Sequence, residues 1–309
     1  MPQLINSPLE TYLSGQLAEP VKCFVCEHEN RPSVERCCEC GTPIALSRQA
    51  APPNRLGVFW RAPRLIAVVG GPRSGKTVFL GMLVDMLVRG ALGRAVTLRG
   101  AFSLEMQQTA TTALASGNYP EKTGADPEHW RWAHCRVHGS GRRRSTEFVL
   151  ADIAGEAWAD EADHPGRRPA LLALLRRAAG VVVIADAQRL HAGDHADEFV
   201  ALKLLSMMDE KQQKPLSRGR SAKRPLAMVL TKADELPSVS DEPNRFADTH
   251  AEVLLRECRG RFADVRAFGA SIAGVSTQRE AAGRRSRVPL RTEPHGVVDP
   301  LSWLLPRLN

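Results

Sequence analysis

The sequence predicts an α/β protein: a mostly parallel sheet with one antiparallel strand, flanked by helices and preceded by a small metal-stapled module. Three observations carry this expectation. From Arg64 onward, short β-branched runs alternate with longer helical ones, the pattern of parallel strands joined by crossover helices. A Gly-rich turn, Gly70-Gly71-Pro72-Arg73-Ser74-Gly75-Lys76-Thr77, joins the first of these runs to an apolar-striped helix. Five of the seven cysteines fall between Cys23 and Cys40, ahead of the alternating region.

The expected strands are Leu65–Val69, Trp132–Val137, Phe148–Ala151, Val181–Ala185, Leu226–Leu230 and Val265–Ala270, with helices between them. The short stretch between the second and the third, containing Gly139-Ser140-Gly141 and the Arg142–Arg144 run, is too little for a crossover helix, so these two should form the antiparallel hairpin. Residues 1–46 read as the metal-stapled module, 47–63 as a linker containing Pro52-Pro53 and Gly57, and 64–309 as the main domain. Lys214–Arg224 and Gly283–Arg287 read as solvated basic loops, with a nucleic-acid patch as the rival.

Composition narrows the class. Of 309 residues, 43% are hydrophobic and 25% charged, which excludes a mostly disordered or collagenous chain. The net charge of +8 suits an anionic partner: nucleotide, nucleic acid or acidic protein. The most apolar stretch, Leu171 to Ala187, is cut by Arg176-Arg177, so no membrane span is expected. Met1 to Pro20 lacks the basic-then-apolar pattern of a secretory leader, and a reducing cytoplasm is the expected setting.

In that setting Cys23-x2-Cys26 and Cys37-x2-Cys40 read as two knuckles closing a tetrahedral thiolate shell around zinc. Protein would fill all four positions, which makes the site structural and suits a partner-docking role. Cys38 could replace Cys37, and His28 is a weaker substitute. Cys135, on a strand, and Cys258, on a helix, read as small core residues.

The Gly-rich turn is a phosphate-binding loop in its confirming context, between strand and helix. Its glycines let backbone amides converge on phosphate oxygens, and the helix N-terminus adds partial positive charge. Gly70, Arg73, Ser74, Gly75, Lys76, Thr77 and Val78 are the expected contacts, with Lys76 reaching the β- and γ-phosphates and the Thr77 hydroxyl on Mg²⁺. Asp152, ending the third strand, is expected to hold Mg²⁺ through water, and Gly155 to offer its amide to the γ-phosphate. Past the fifth strand, in Thr231-Lys232-Ala233-Asp234, a carboxylate can accept from both guanine N1–H and the 2-amino group, a donor pair adenine lacks. The Lys232 stem would cover the base plane.

Together these residues resemble the P-loop GTPases of the class containing Ras-like and dynamin-like proteins, over roughly Arg64 to Ser276. The resemblance implies GTP hydrolysis to GDP and phosphate, a P-loop GTPase fold, Asp152–Gly155 as the second switch, and Thr231-Lys232-x-Asp234 as the guanine reader. It also implies a backbone contact to the guanine oxygen, for which Ser271-Ile272 stands in place of the usual Ser-Ala, and a switch threonine completing the Mg²⁺ shell. Thr123 fits that place best, with Thr109, Thr111 and Thr112 on a helix. The sequence is similar more narrowly to the bacterial double-GTPase group of conflict and antiviral defence gene clusters. Its N-terminal cysteine ribbon, Gly-Pro-Arg-Ser-Gly-Lys-Thr loop, Asp-x-Ala-Gly-Glu segment and C-terminal Gly296–Leu305 stretch carry that likeness.

Glu156 occupies the place where Ras-like enzymes carry a water-positioning Gln, and would orient water or cap the following helix. Arg73 sits where guanylate-binding proteins carry an internal arginine finger; it would reach the phosphates when a second copy or a second GTPase faces this domain, or remain an exposed loop cation. The expected protein is a GTP-binding switch with a zinc module that recruits a protein partner. Its rivals are a binding-only pseudo-GTPase, an ATPase, and a nucleic-acid-binding ribbon protein, although the ribbon segment from Cys23 to Cys40 lacks aromatic stacking residues other than Phe24.

Overall fold

The computed structural model describes residues 19–51, 62–120, 130–139, 145–210, 224–281 and 284–308. In the cysteine region, β1 (Val21–Lys22) pairs with β2 (Glu29–Asn30), and helix α1 (Ile44–Ala50) follows. The alternating region supplies β3 (Arg64–Gly70), β4 (Val96–Arg99), β5 (Arg131–Val137), β6 (Thr146–Asp152), β7 (Gly180–Asp186), β8 (Pro225–Thr231), β9 (Asp264–Ala281) and β10 (Arg284–His295). These form one sheet in the order β10-β9-β8-β7-β3-β6-β5-β4. Neighbours from β9 to β6 are parallel, whereas β5 runs against β6 and β4, and β10 runs against β9.

The mostly parallel α/β sheet is as expected, and each of the six expected strands lies within an observed one. Two strands run counter to the rest, β5 and β10, where the sequence suggested one. The second was hidden because Arg284–Arg287, read within a solvated loop, form the start of β10, whose described pairing is with β9 alone. Strand β4 was not anticipated either; it is four residues long and only Val96 is buried. The Arg142–Arg144 run and residues 211–223 lie outside the described residues. Arg224, expected in a basic loop, is instead buried, and its guanidinium donates to Leu175 O, Arg176 O and Ala178 O at 2.9–3.2 Å.

Strand alternation builds two cores. Every residue of β7 and β8 is buried, as expected for parallel strands covered on both faces. Leu65, Ala67 and Val69 of β3 point to one core, and Ile66 and Val68 to the other. Helices α2 (Lys76–Val88) and α3 (Ala101–Ala115) cover the second face through Phe79, Leu80, Leu83 and Met106. The C-terminal helix Asp299–Leu304 adds Leu301 and Leu304 there, so the Gly296–Leu305 stretch packs the core. The first face is covered by α4 (Gly155–Asp163), α5 (Pro169–Arg177), α6 (Ala187–His191) and α7 (Ala196–Glu210), with Trp158, Leu171 and Leu204 inward. Among the described residues no helix is long and apolar enough to cross a membrane.

Helix α1 crosses the expected boundary at residue 46, so residues 47–50, read as linker, are helical. Its Ile44 and Leu46 are fully buried in the same core as β3. Gln49 then bridges to the sheet edge, donating to Arg99 O at 2.6 Å and accepting from Trp132 Nε1 at 2.9 Å. Removing it would leave the indole N–H of Trp132, only 2% exposed, without a partner. Gln49→Ala should therefore destabilise the fold by about 1–3 kcal/mol, read as a lowered urea midpoint with an unchanged slope.

Candidate functional site

The cysteine region brings four sulfurs together. Sγ atoms of Cys23, Cys26, Cys37 and Cys40 all lie within 4.8 Å of one another. Two turns of matching geometry place them. Cys23 N donates to His28 O at 2.8 Å and Cys23 O accepts from Glu27 N at 3.0 Å; Cys37 N donates to Thr42 O at 2.9 Å and Cys37 O accepts from Gly41 N at 2.8 Å. In each turn the residue after the second cysteine is left-handed, Glu27 at φ 66° and Gly41 at φ 77°. Buried Asn30 links the turns, donating to His28 O at 2.9 Å and accepting from Cys38 N at 2.8 Å. Cys38 is exposed and outside the cluster, as is His28. The hydrogen bond with Cys40 lowers the Cys23 thiol pKa, and the same bond, with burial, holds Cys40 up. By contrast, burial pushes Cys135 and Cys258 up to about 12, consistent with inert core thiols.

The other candidate residues gather where the parallel strands end, the edge at which open α/β sheets bind ligands. A cleft of about 380 Å³ is lined by Arg73, Ser74 and Gly75 of the loop after β3, by Lys76, Thr77 and Val78 at the start of α2, by Gly155 and Glu156 after β6, by Thr231 at the end of β8, and by Lys232 and Asp234 beyond it. Ile272 of β9 lines it too. The loop and the turn after β8 are joined directly: the Thr231 hydroxyl lies 2.7 Å from Ser74 O and 3.1 Å from Ala185 O. Gly155 packs against the loop so closely that a β-carbon there would collide with Gly71 O and Pro72 N. Glu156 stands in the first turn of α4.

Lys76 is 5% exposed, and burial pushes its ammonium down while Asp152, Glu156 and Asp197 pull it back up. Arg73 is exposed and adopts the left-handed backbone region at φ 65°. Lys232 is also left-handed, at φ 59°, and its ammonium pairs with Asp186 at the end of β7. Asp234 is exposed within the 3-10 turn Ala233–Glu235.

Some expected residues stand apart. Asp152 is fully buried at the end of β6 and does not line the cleft, although its charge acts on Lys76. Gly70 and Ser271 also lie behind the lining. Thr123 lies outside the described residues; Thr109, Thr111 and Thr112 are helical in α3. Sequence reasoning missed Tyr119, Pro120, Ala154, Gln188, Ala270 and Ala273 in the lining. Gln188 was detectable in principle, because it follows β7 at the same carboxyl edge.

Among solved structures, the chain is similar to a nucleolar GTP-binding protein 1 from Plasmodium falciparum, at 10% identity and a TM-score of 0.32, over 68% of this chain and 77% of that one. It is similar also to the Ski7 GTPase-like domain of S. cerevisiae bound to GTP, at 16% identity and a TM-score of 0.39, over 68% of this chain and 42% of that one. A third is Roco2 RocCORdC of Methanosarcina barkeri bound to GDP, at 13% identity and a TM-score of 0.29, over 68% and 43%. The chain thus spans less than half the length of the latter two. No curated protein matches it. The family model described as Double-GTPase 2 matches residues 64–283, beginning with the first strand of the large sheet. That match covers well over half of the chain, and the protein belongs to the Double-GTPase 2 family.

Proposed function

We propose that this protein is a GTP-binding and GTP-hydrolysing switch, with residues 64–309 as its GTPase domain and the cysteine region as a partner-docking module. Family membership supports GTP binding. The observation that carries the reading is one cleft lined both by the loop of residues 73–78 and by Asp234. Backbone amides of that loop would hold the phosphates, Lys76 would neutralise the β- and γ-phosphates, and Asp234 would accept from the guanine edge. The Lys232 stem lines the same cleft while Asp186 holds its head, an arrangement suited to covering the base plane.

The Thr77 hydroxyl and the Asp152 carboxylate are hard oxygen donors, and both fit Mg²⁺. When bound, that ion would neutralise charge on the phosphates. Gly155 is pressed against the phosphate loop, and its amide would contact a γ-phosphate and lose that contact after hydrolysis. Turnover is assigned to Glu156, which would orient the attacking water, and to Arg73, which would reach the phosphates when a second copy or second GTPase faces the cleft. Single-turnover hydrolysis by Arg73→Ala should fall by about tenfold or more and lose its rise with protein concentration. An unchanged rate would remove Arg73 from the mechanism.

Base choice tests the reading most directly. Asp234→Ala should weaken GTP binding by roughly 100-fold while leaving ATP binding as it was, because a charge-assisted hydrogen bond is worth about 1.5–3 kcal/mol. Competition of labelled GTP with excess ATP, and identification of the nucleotide released on denaturing the purified protein, are the measurements. An adenine nucleotide in the released fraction would overturn the GTP assignment, and no phosphate release with GTP and Mg²⁺ would favour the binding-only rival.

The clustered sulfurs fit zinc, a soft-to-borderline ion that takes four thiolates in a closed tetrahedral shell. Cys37→Ser should abolish stoichiometric zinc, whereas Cys38→Ser should retain it, measured by metal analysis of the purified variants. Phe24 packs against the core, which disfavours it as a nucleic-acid stacking platform. Protein docking is therefore the preferred role of this module, and a conflict or defence setting rests on the family resemblance alone.

A further inference from the structure

Three consecutive carbonyls of the phosphate loop are each engaged by a side chain from another element. Pro72 O accepts from Arg189 Nη1 at 3.2 Å, Arg73 O accepts from Lys232 Nζ at 3.5 Å, and Ser74 O lies 2.7 Å from the Thr231 hydroxyl. A trans peptide is a rigid plane in which the N–H opposes the C=O. Tethering a carbonyl to a neighbouring element therefore fixes where the next residue's amide points.

Thr231 and Lys232 belong to the segment assigned to base reading, but Arg189 does not. It lies in α6, and it is itself held in place. Its Nε donates to Asp194 at 2.7 Å, and Nη1 lies 3.4 Å from Asp197 Oδ1. Asp194 in turn accepts from Ala196 N at 3.0 Å. Asp197 is 4% exposed, accepts from Asp186 N at 3.2 Å, and abuts Gly71 so closely that a β-carbon there would collide with its carboxylate. Hydrogen bonding to Asp194 raises the Arg189 pKa further, so its guanidinium remains charged.

We propose that Arg189 is a positioning residue for the phosphate loop: by tethering the Pro72 carbonyl it aims the Arg73 amide at the phosphates of the bound nucleotide. Two features make this tether matter. Pro72 has no amide of its own, so the loop has one donor fewer and the Arg73 amide carries a larger share. Arg73 also sits at φ 65°, a region non-glycine residues rarely adopt, and the tethers on Pro72 O and Arg73 O flank it on both sides. Without Arg189 the Pro72–Arg73 plane is free to turn, presenting an acceptor oxygen where an anion needs a donor.

The inference rests on the GTP reading, and the test separates the two. Labelled GTP and GDP are titrated into wild type, Arg189→Ala, Arg189→Lys and Asp194→Asn, and each protein is melted without nucleotide. Arg189→Ala should bind both nucleotides about tenfold more weakly, whereas Arg189→Lys, which keeps a charged donor, should stay within about threefold of wild type. Asp194→Asn, at a half-exposed position, loosens the guanidinium without removing it and should show a smaller loss of the same kind. Arg189→Ala also leaves buried Asp197 without its cation and should melt lower than wild type, whereas Arg189→Lys and Asp194→Asn should match wild type. Equal nucleotide affinity in wild type and Arg189→Ala would overturn the proposal, as would a loss in Arg189→Ala that Arg189→Lys does not rescue. Should Arg189→Ala not fold, Asp194→Asn with wild-type affinity would overturn it. Wild type that binds neither nucleotide would instead sink the GTP reading itself.

Discussion

The Thr231 hydroxyl has one proton and two carbonyls within reach, Ser74 O of the phosphate loop and Ala185 O of β7. It is 5% exposed, so water cannot readily replace either contact. Through it the end of β8 is fixed against the loop after β3, two strands away in the sheet. A purine triphosphate has a base and a phosphate tail at a set separation, and a protein that grips both must hold its two grips at that separation before the ligand arrives. In the GTP reading a short hydroxyl side chain would achieve this, because the parallel strands of one sheet present their ends along one edge. The rest of the cleft is arranged around that link.

Much of this was legible in the sequence for a physical reason. Gly70 to Thr77, Asp152 to Glu156 and Thr231 to Asp234 each follow a short apolar run, and a parallel sheet places all such junctions at one edge. Chain order alone therefore brings distant segments together. Asp186 and Arg189 escaped notice because neither belongs to a short pattern; their importance comes from the carbonyl and ammonium they meet, and partners so far apart in the chain are not encoded by spacing. Strand β10 was missed because its arginines carry no apolar alternation, and β4 because one buried residue in four is no pattern. Arg224 shows the converse, since a cation in a basic run can be drawn inward when three free carbonyls await it.

The cysteine region illustrates how a small module acquires a place in a larger fold. Two short strands and two turns bury too little surface to hold together unaided, and a tetrahedral metal shell is the usual remedy. Here a second source of stability is present. Ile44 and Leu46 leave the second turn directly into the core beneath β3, while Gln49 fastens the helix to β4 and β5. A module seated in this way presents a fixed outer face, where one on a slack tether would present a roaming one.

Burial of β3, β7 and β8 on both faces has a temporal counterpart. Amides in strands walled on either side exchange with solvent only when the whole molecule opens, whereas turns at their ends exchange through small local fluctuations. The chemistry of the cleft sits at that border between slow and fast. Any rearrangement linked to the ligand is thereby confined to segments that leave the strand ends, and the sheet beneath serves as the stationary frame against which they move.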